Sequence, residues 1–366
     1  MTRDTGGDGR FIDDRLGALT GEGAQQRVSS PRHEESGVPL EVWDHDPTHA
    51  PQQRSYYERP VLKEPVWIWS VPAYFYAGGV CGAAAVLGAV AQAVDNRGLR
   101  KLVRRCRLIS AVGGGAGTVF LIIDLGRPER FLNMLRVFRP TSPLNVGSWV
   151  LATATPLSSG AAVLAQASGV LGRLGDLAGF GAGVAGLPMS GYTAVLLSNT
   201  AVPVWQGARH SLPWLFVASA ASSASALLEM TDLDEREHRI VESFGRLAAA
   251  GEVIAAFAVE RETGSVERVG RPLREGVSGT LWKTSLVCGL GGLVLSLAPG
   301  TGRFKRVASS ALTTAGALAM RFSVFHAGKA SARDPHATFE MQRAGHGAAE
   351  TTGRAAVAGP AGAGAS

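Results

Sequence analysis

A chain of 366 residues has room for two or three soluble domains, yet 46% of it is hydrophobic and only 7% aromatic, in runs of Ala, Val, Leu and Gly. Those runs lack the alternation of soluble sheets, and the mean hydropathy of +0.11 averages polar ends with a middle where charge nearly vanishes. The net charge of +6 does not mark a nucleic-acid binder, because the basic residues sit in short clusters flanking apolar runs, where they meet anionic headgroups.

Residues 1–64 mix Asp, Glu, Arg, Gly and Ser without period and are expected to form a disordered or partner-bound arm. They contain no apolar signal-peptide core, so the first span is expected to act as its own insertion signal. Residues 65–328 are expected to be a transmembrane domain, and residues 329–366 a low-complexity tail rich in Ala and Gly. Stretches of roughly 20 apolar residues suffice to span a bilayer, and eight candidates follow one another: 66–94, 108–123, 146–169, 180–203, 212–228, 240–259, 277–297 and 307–325. The expected fold is therefore an all-α integral membrane protein, an eight-transmembrane-helix bundle with disordered N- and C-terminal arms.

Trp67, Trp69, Tyr74 and Tyr76 crowd the start of the first span, where an interfacial aromatic belt sits, and Gly78, Gly79 and Gly82 permit close helix contact. The connection 96–107 carries six basic residues and no acid after Asp95, which predicts that it is cytoplasmic. Eight spans then put both termini on the extracytoplasmic side of the cell membrane, together with the turn at Asp124, His210 and the end of the last span. The arginines of 127–139 and 261–274 stand against that orientation.

The second span ends at Asp124 and runs into the breaker Gly126-Arg127-Pro128. Beyond it Phe131, Leu132, Leu135, Val137 and Phe138 interleave with Arg130, Arg136 and Arg139, the pattern of a short amphipathic segment lying along the membrane surface. Within the spans, Glu229, Glu242, Arg246, Glu252 and Arg321 each cost about 2.5–3.5 kcal/mol unless paired or hydrated. Glu242 and Arg246 are four apart and pair along one face, whereas Glu252 has no partner nearby in sequence. The series Glu229, Glu242, Arg246, Glu252 is read as a proton path, against the alternative of helix linkers. Toward the outer face, Tyr74, Tyr192, Asp124, Arg321 and His326 supply the donors and the acid that a quinone head requires. Helix caps and interfacial tyrosines are the blander account.

Cys81, Cys106 and Cys288 are far apart with no CxxC spacing, so no metal centre is expected in the chain. His210 and His326 sit at span ends without a second pair, which argues against a haem.

Asp124-Leu125-Gly126-Arg127-Pro128, with Arg130-Phe131, Leu135 and Pro140-Thr141-Ser142-Pro143, resembles the signature of the NrfD/PsrC family. These are the polysulfide-reductase-type membrane subunits of molybdopterin oxidoreductases. Trp67-Ile68-Trp69 with Tyr74, the stretch from Tyr192-Thr193 to Pro203-Val204-Trp205, and residues 321–328 extend the likeness over roughly 60–340. The resemblance implies an eight-helix protein without cofactors of its own, which exchanges electrons between menaquinone or menaquinol and a docked ferredoxin-like iron–sulfur subunit. That subunit is linked in turn to a molybdopterin catalytic subunit. It also implies a quinone site near the docking face, matched here to Tyr74 and Tyr192 with Asp124 beneath the partner, and docking through Arg127, Arg130, Phe131, Arg136 and Arg139. Some members carry a histidine and an asparagine in the first helix, where this chain offers Tyr74, Tyr76 and Ser70. A proton-coupled transporter, suggested by Pro188 and Pro203, and a purely structural anchor are the alternatives.

Overall fold

A computed structural model describes residues 10–13, 18–21, 60–125, 128–300 and 302–344. Within residues 1–54, which form a unit of their own, two short strands pair antiparallel: β1 (Arg10–Asp13) and β2 (Ala18–Gly21), with Arg10 opposite Gly21. Residues 1–9, 14–17 and 22–59 lie outside the described residues.

The second unit is helical. Eight helices of 18 residues or more follow in order: α1 (Ser70–Asp95), α2 (Arg100–Asp124), α3 (Pro143–Val163), α4 (Gly169–Ser198), α5 (Leu212–Glu229), α6 (Glu235–Thr263), α7 (Gly276–Leu297) and α8 (Arg303–Arg333). Each overlaps one expected span. Six are long and apolar enough to cross a membrane; α6 and α8, which carry Glu242, Arg246, Glu252 and Arg321, fall short on composition. Short helices at Pro203–Gly207, Glu267–Gly270 and Pro335–Arg343 bring the α-helices among the described residues to eleven.

The boundaries moved where charge was read as loop. The basic residues from Arg100 onward form the first turns of α2, so the connection shrinks to 96–99. Arg and Lys are good helix formers, and their charge stops the bilayer without stopping the helix. α4 starts eleven residues before the expected 180, because Asp176 is neutralised by Arg107 at 2.7 Å. Helix also continues past 328, through the end of α8 and into Pro335–Arg343, which Asp334 caps by accepting the His336 amide at 3.0 Å.

The connections tie off at two opposite ends, called inner and outer after the side their charge predicts. At the inner end Lys101 pairs with Asp234 at 2.7 Å and Arg236 with Asp95 at 3.0 Å. The Gly98 amide and then Arg236 hold the Asp95 carboxyl below the usual carboxylate range. Glu237, 1% exposed, completes the capping box of α6 and also accepts the Leu102 amide at 2.9 Å, joining the start of α2 to the start of α6. At the outer end Glu64 accepts two hydrogen bonds from Arg333, at 2.7 and 2.8 Å, and Trp67 stacks on Trp205 at 5.9 Å. The strap before α1 is thus fastened across the end of α8. The segment after Asp124 forms a 3-10 helix, Pro128–Leu135. Asn145 clasps it: its amide donates to the carbonyls of Met134 and Val137, both at 3.0 Å, and its oxygen accepts from the Arg139 amide at 2.6 Å.

α1 is central: 72% of its apolar stretch is buried, against 11% for α7. It crosses α4 at close range, where a Cβ at Gly82 would lie 2.6 Å from both the Gly186 carbonyl oxygen and the Ser190 nitrogen. Only a glycine fits that crossing. Gly82→Ala is expected to destabilise the protein by about 1–3 kcal/mol, the usual range for overpacking, measured as a lower unfolding midpoint in detergent.

Candidate functional site

Residues two apart on an α-helix point about 200° apart, so Tyr74 and Tyr76 leave α1 on nearly opposite sides. Each enters a different polar environment.

Tyr74 faces α2 and α4. It is 2% exposed, and its ring lies over Gly78 and Gly117, where a Cβ at Gly117 would be 3.2 Å from it. Its hydroxyl is buried with no hydrogen-bond partner. An orphan hydroxyl costs about 1–3 kcal/mol, an expense that a bound acceptor removes. Tyr192 packs against the same apolar cluster, as do Phe120, Leu121 and Val150, and its ring rests on Gly147 of α3. Asp124, at the end of α2, accepts the Ile68 amide at 3.0 Å, and Trp69 meets Phe120 edge-on at 6.0 Å. Tyr74, Tyr192 and Asp124 therefore all belong to the outer half of the α1–α4 group.

Arg321 and His326 do not join them. Arg321 is 1% exposed near the middle of α8; its guanidinium lies 3.8 Å from the centre of the Phe216 ring and donates to the Phe216 carbonyl at 3.0 Å. It meets α1 at Gly79, on the Tyr76 side, 3.5 Å from where a Cβ would be. Expected in the outer quinone set, Arg321 is instead held by Phe216, and its charge acts on Glu252 and Tyr76 without a direct ion pair to either. A buried arginine requires an acid and a ring face more than it requires the membrane surface. His326 packs edge-on against Phe325 at 5.2 Å.

Glu252 accepts from Ser222 at 2.6 Å. Ser219, Ser222 and Ser223 lie at i, i+3 and i+4, and so line one face of α5. The Tyr76 hydroxyl is buried beside Ser223 and Thr314. That serine stripe, legible as a polar face inside an apolar span, was the sequence signal for this cluster and went unread. Below it, toward the inner end, Glu229, Glu242, Arg246, Ser222, Ser225 and Ser310 border one small cavity. Arg246 pairs with Glu242 at 2.5 Å and donates to the Ser296 carbonyl at 2.7 Å, while Ser310 donates to Glu229 at 3.3 Å. Ser222 borders this cavity and also bonds Glu252, so the four residues read as a series are contiguous. At its Glu252 end the series lies in the field of Arg321, which also acts on Tyr76.

A third polar group centres on Arg107, which lies inside α2 and not in the connection 96–107 expected from its charge. It is 7% exposed inside the α1–α4 group and donates to Gln92 at 2.8 Å and to Asp176 at 2.7 Å. Deeper in the same group, Ser110 bonds Ser158 at 2.7 Å.

On the outer surface, the segment after Asp124 exposes Leu132, Val137 and Phe138, at 70%, 58% and 57%. Arg136 and Arg139 are exposed beside them, and Phe131 is partly buried. The docking assignments to Arg127 and to the Arg130 side chain lie outside the described residues. Among those residues no cluster of His, Cys, Asp or Glu is arranged to hold a metal.

No curated protein matches the chain in sequence. A family model described as polysulphide reductase, NrfD, matches residues 60–331, which takes in all eight long helices apart from the last two residues of α8. With that match over well more than half of its length, this chain of membrane-crossing helices belongs to the NrfD family of oxidoreductase membrane subunits.

Proposed function

We propose that the chain is the quinone-reactive membrane subunit of a multisubunit molybdopterin and iron–sulfur oxidoreductase, with all eight long helices crossing the cell membrane. The observation that carries this reading is the Tyr74 hydroxyl, buried and unpartnered in the apolar cluster against which Tyr192 also packs, within a chain of the NrfD family. A quinone head fits such a place, because each of its carbonyl oxygens accepts a hydrogen bond and its flat ring packs among Phe120, Val150 and the small residues around Gly117 and Gly147. A bound menaquinone or menaquinol supplies two-electron, two-proton chemistry. Tyr74 and Tyr192 donate to its oxygens and hold the ring, and Asp124 at the outer rim takes or gives the proton exchanged with water. In the assembled complex, disruption of this site abolishes quinol oxidation while leaving the partner subunits attached.

The arginine-bordered apolar segment around Leu132, Val137 and Phe138 is the proposed dock of a ferredoxin-like iron–sulfur subunit. The contiguous series Glu229, Glu242, Arg246, Glu252 is the proposed proton path from the inner face. The transporter alternative has less support, because Pro188 lies inside an unbroken α4, although Pro203 opens a separate short helix between α4 and α5.

The proposed orientation has the 96–99 connection in the cytoplasm and both termini outside. In a Cys288→Ser background, a cysteine replacing Arg97 is expected to label only from the cytoplasmic side, and one replacing Ser265 only from the outer side. The reverse pattern would invert the topology.

A further inference from the structure

A cavity of about 450 Å³ opens at the outer end of α5 and α6, away from Tyr74 and Glu252. Its floor is apolar, from Ala258, Val266, Val269 and Met341, and its rim carries Arg209, His210 and Arg261. The acid among these residues is already engaged. Glu262 accepts the His210 amide at 3.2 Å, the His210 Nδ1 at 2.9 Å and the Ser211 amide at 3.0 Å, and it also bonds the Ser211 hydroxyl. By count, two arginines and a histidine against one acid leave the lining with an excess of positive charge.

The neighbourhood of the cavity indicates what fills it. Ile254, Phe257, Ala258 and Arg261 lie at i, i+3, i+4 and i+7, one stripe along α6. Ile254 is 70% and Phe257 54% exposed, so the stripe that faces lipid runs directly into the cavity and ends at Arg261. An amphiphile with one anionic end matches this order of surfaces, with its chains on the stripe and the apolar floor and its phosphate at the basic rim.

We propose that this cavity is a binding site for an anionic phospholipid of the outer leaflet, with Arg209, His210 and Arg261 holding the phosphate. The site is separate from the quinone and proton groups, so its occupancy acts on stability and on the setting of the outer end of α6.

The test uses the purified full-length chain in detergent, titrated with dioleoylphosphatidylglycerol, dioleoylphosphatidylcholine or inorganic phosphate while the thermal unfolding midpoint is followed. Phosphatidylglycerol is expected to raise the midpoint saturably, and the other two are not. In Arg209→Gln/Arg261→Gln the apparent affinity for phosphatidylglycerol is expected to fall roughly thirtyfold, as removal of two basic side chains beside an anionic headgroup implies. Arg261→Lys, which keeps the charge, should retain most of it and so separates lost binding from misfolding. Equal shifts with phosphatidylcholine, or an unchanged response in the double variant, would overturn the proposal. A full shift from inorganic phosphate alone would make this a free-anion site and equally end it. If the double variant binds lipid normally but no longer retains its partner subunits, the cavity is a protein dock and not a lipid site.

Discussion

Tyr74→Phe and Tyr192→Phe, each in the assembled complex, are expected to lower quinol turnover by one to two orders of magnitude, roughly 1.4–2.7 kcal/mol of transition-state stabilisation. Each substitution keeps the ring and removes one hydroxyl, so assembly should survive. For Tyr74 the two readings of the residue predict different pairs of results. Its hydroxyl is buried with no partner in the protein, so its removal relieves an unmet hydrogen-bonding group and should leave stability unchanged or slightly higher. Lost turnover at undiminished stability marks a residue kept for its ligand. Unchanged turnover in both variants would exclude the tyrosines as donors to the quinone and leave the chain an anchor.

A second large effect is expected at Glu252. Gln in its place keeps the volume and the bond to Ser222 but cannot carry a proton. Turnover in proteoliposomes should persist or fall while the charge moved per electron drops. A ratio that stays at its wild-type value means that protons reach the quinone only from the outer water and that Glu252 joins helices. Arg321→Met is expected to be severe by a different route. It removes the buried positive charge that acts on Glu252, a loss of about 3–5 kcal/mol if the two charges compensate one another as a buried pair. Adding Glu252→Gln to Arg321→Met should restore much of that stability, since replacing both members removes the stranded charge. If the double variant is no more stable than Arg321→Met alone, the two residues do not form a pair, and the field on Arg321 has another source.

These experiments address residues the sequence singled out, but it did not group them correctly. Arg321 was set with Tyr74 because both lie in spans that come near the outer face. Depth can be counted along a helix at 1.5 Å per residue. The direction in which a helix turns its faces depends on its neighbours, and that is not written in the helix itself. Tyr74 and Tyr76 make the point within one helix. Two positions apart, they serve separate polar groups because α1 is surrounded on all sides, by α2 and α4 on one flank and by α5 and α8 on the other. Asn145 was invisible for a similar reason, since a clasp is defined by the backbone it closes on.

The sequence by itself determined the parts that follow from solvent. The helical stretches, six of them apolar enough to cross a membrane, the acids and arginines that lipid cannot accept unpaired, and the end of α2 at Asp124 were legible, because the bilayer imposes one strong transfer cost on every residue in turn. Only the tertiary structure decided which charges share an environment. Pairing Arg107 with Asp176 and Glu64 with Arg333, and setting Arg321 in the field of Glu252, brings together residues 69 to 269 positions apart. Electrostatic attraction depends on distance in space, and helix packing fixes that distance.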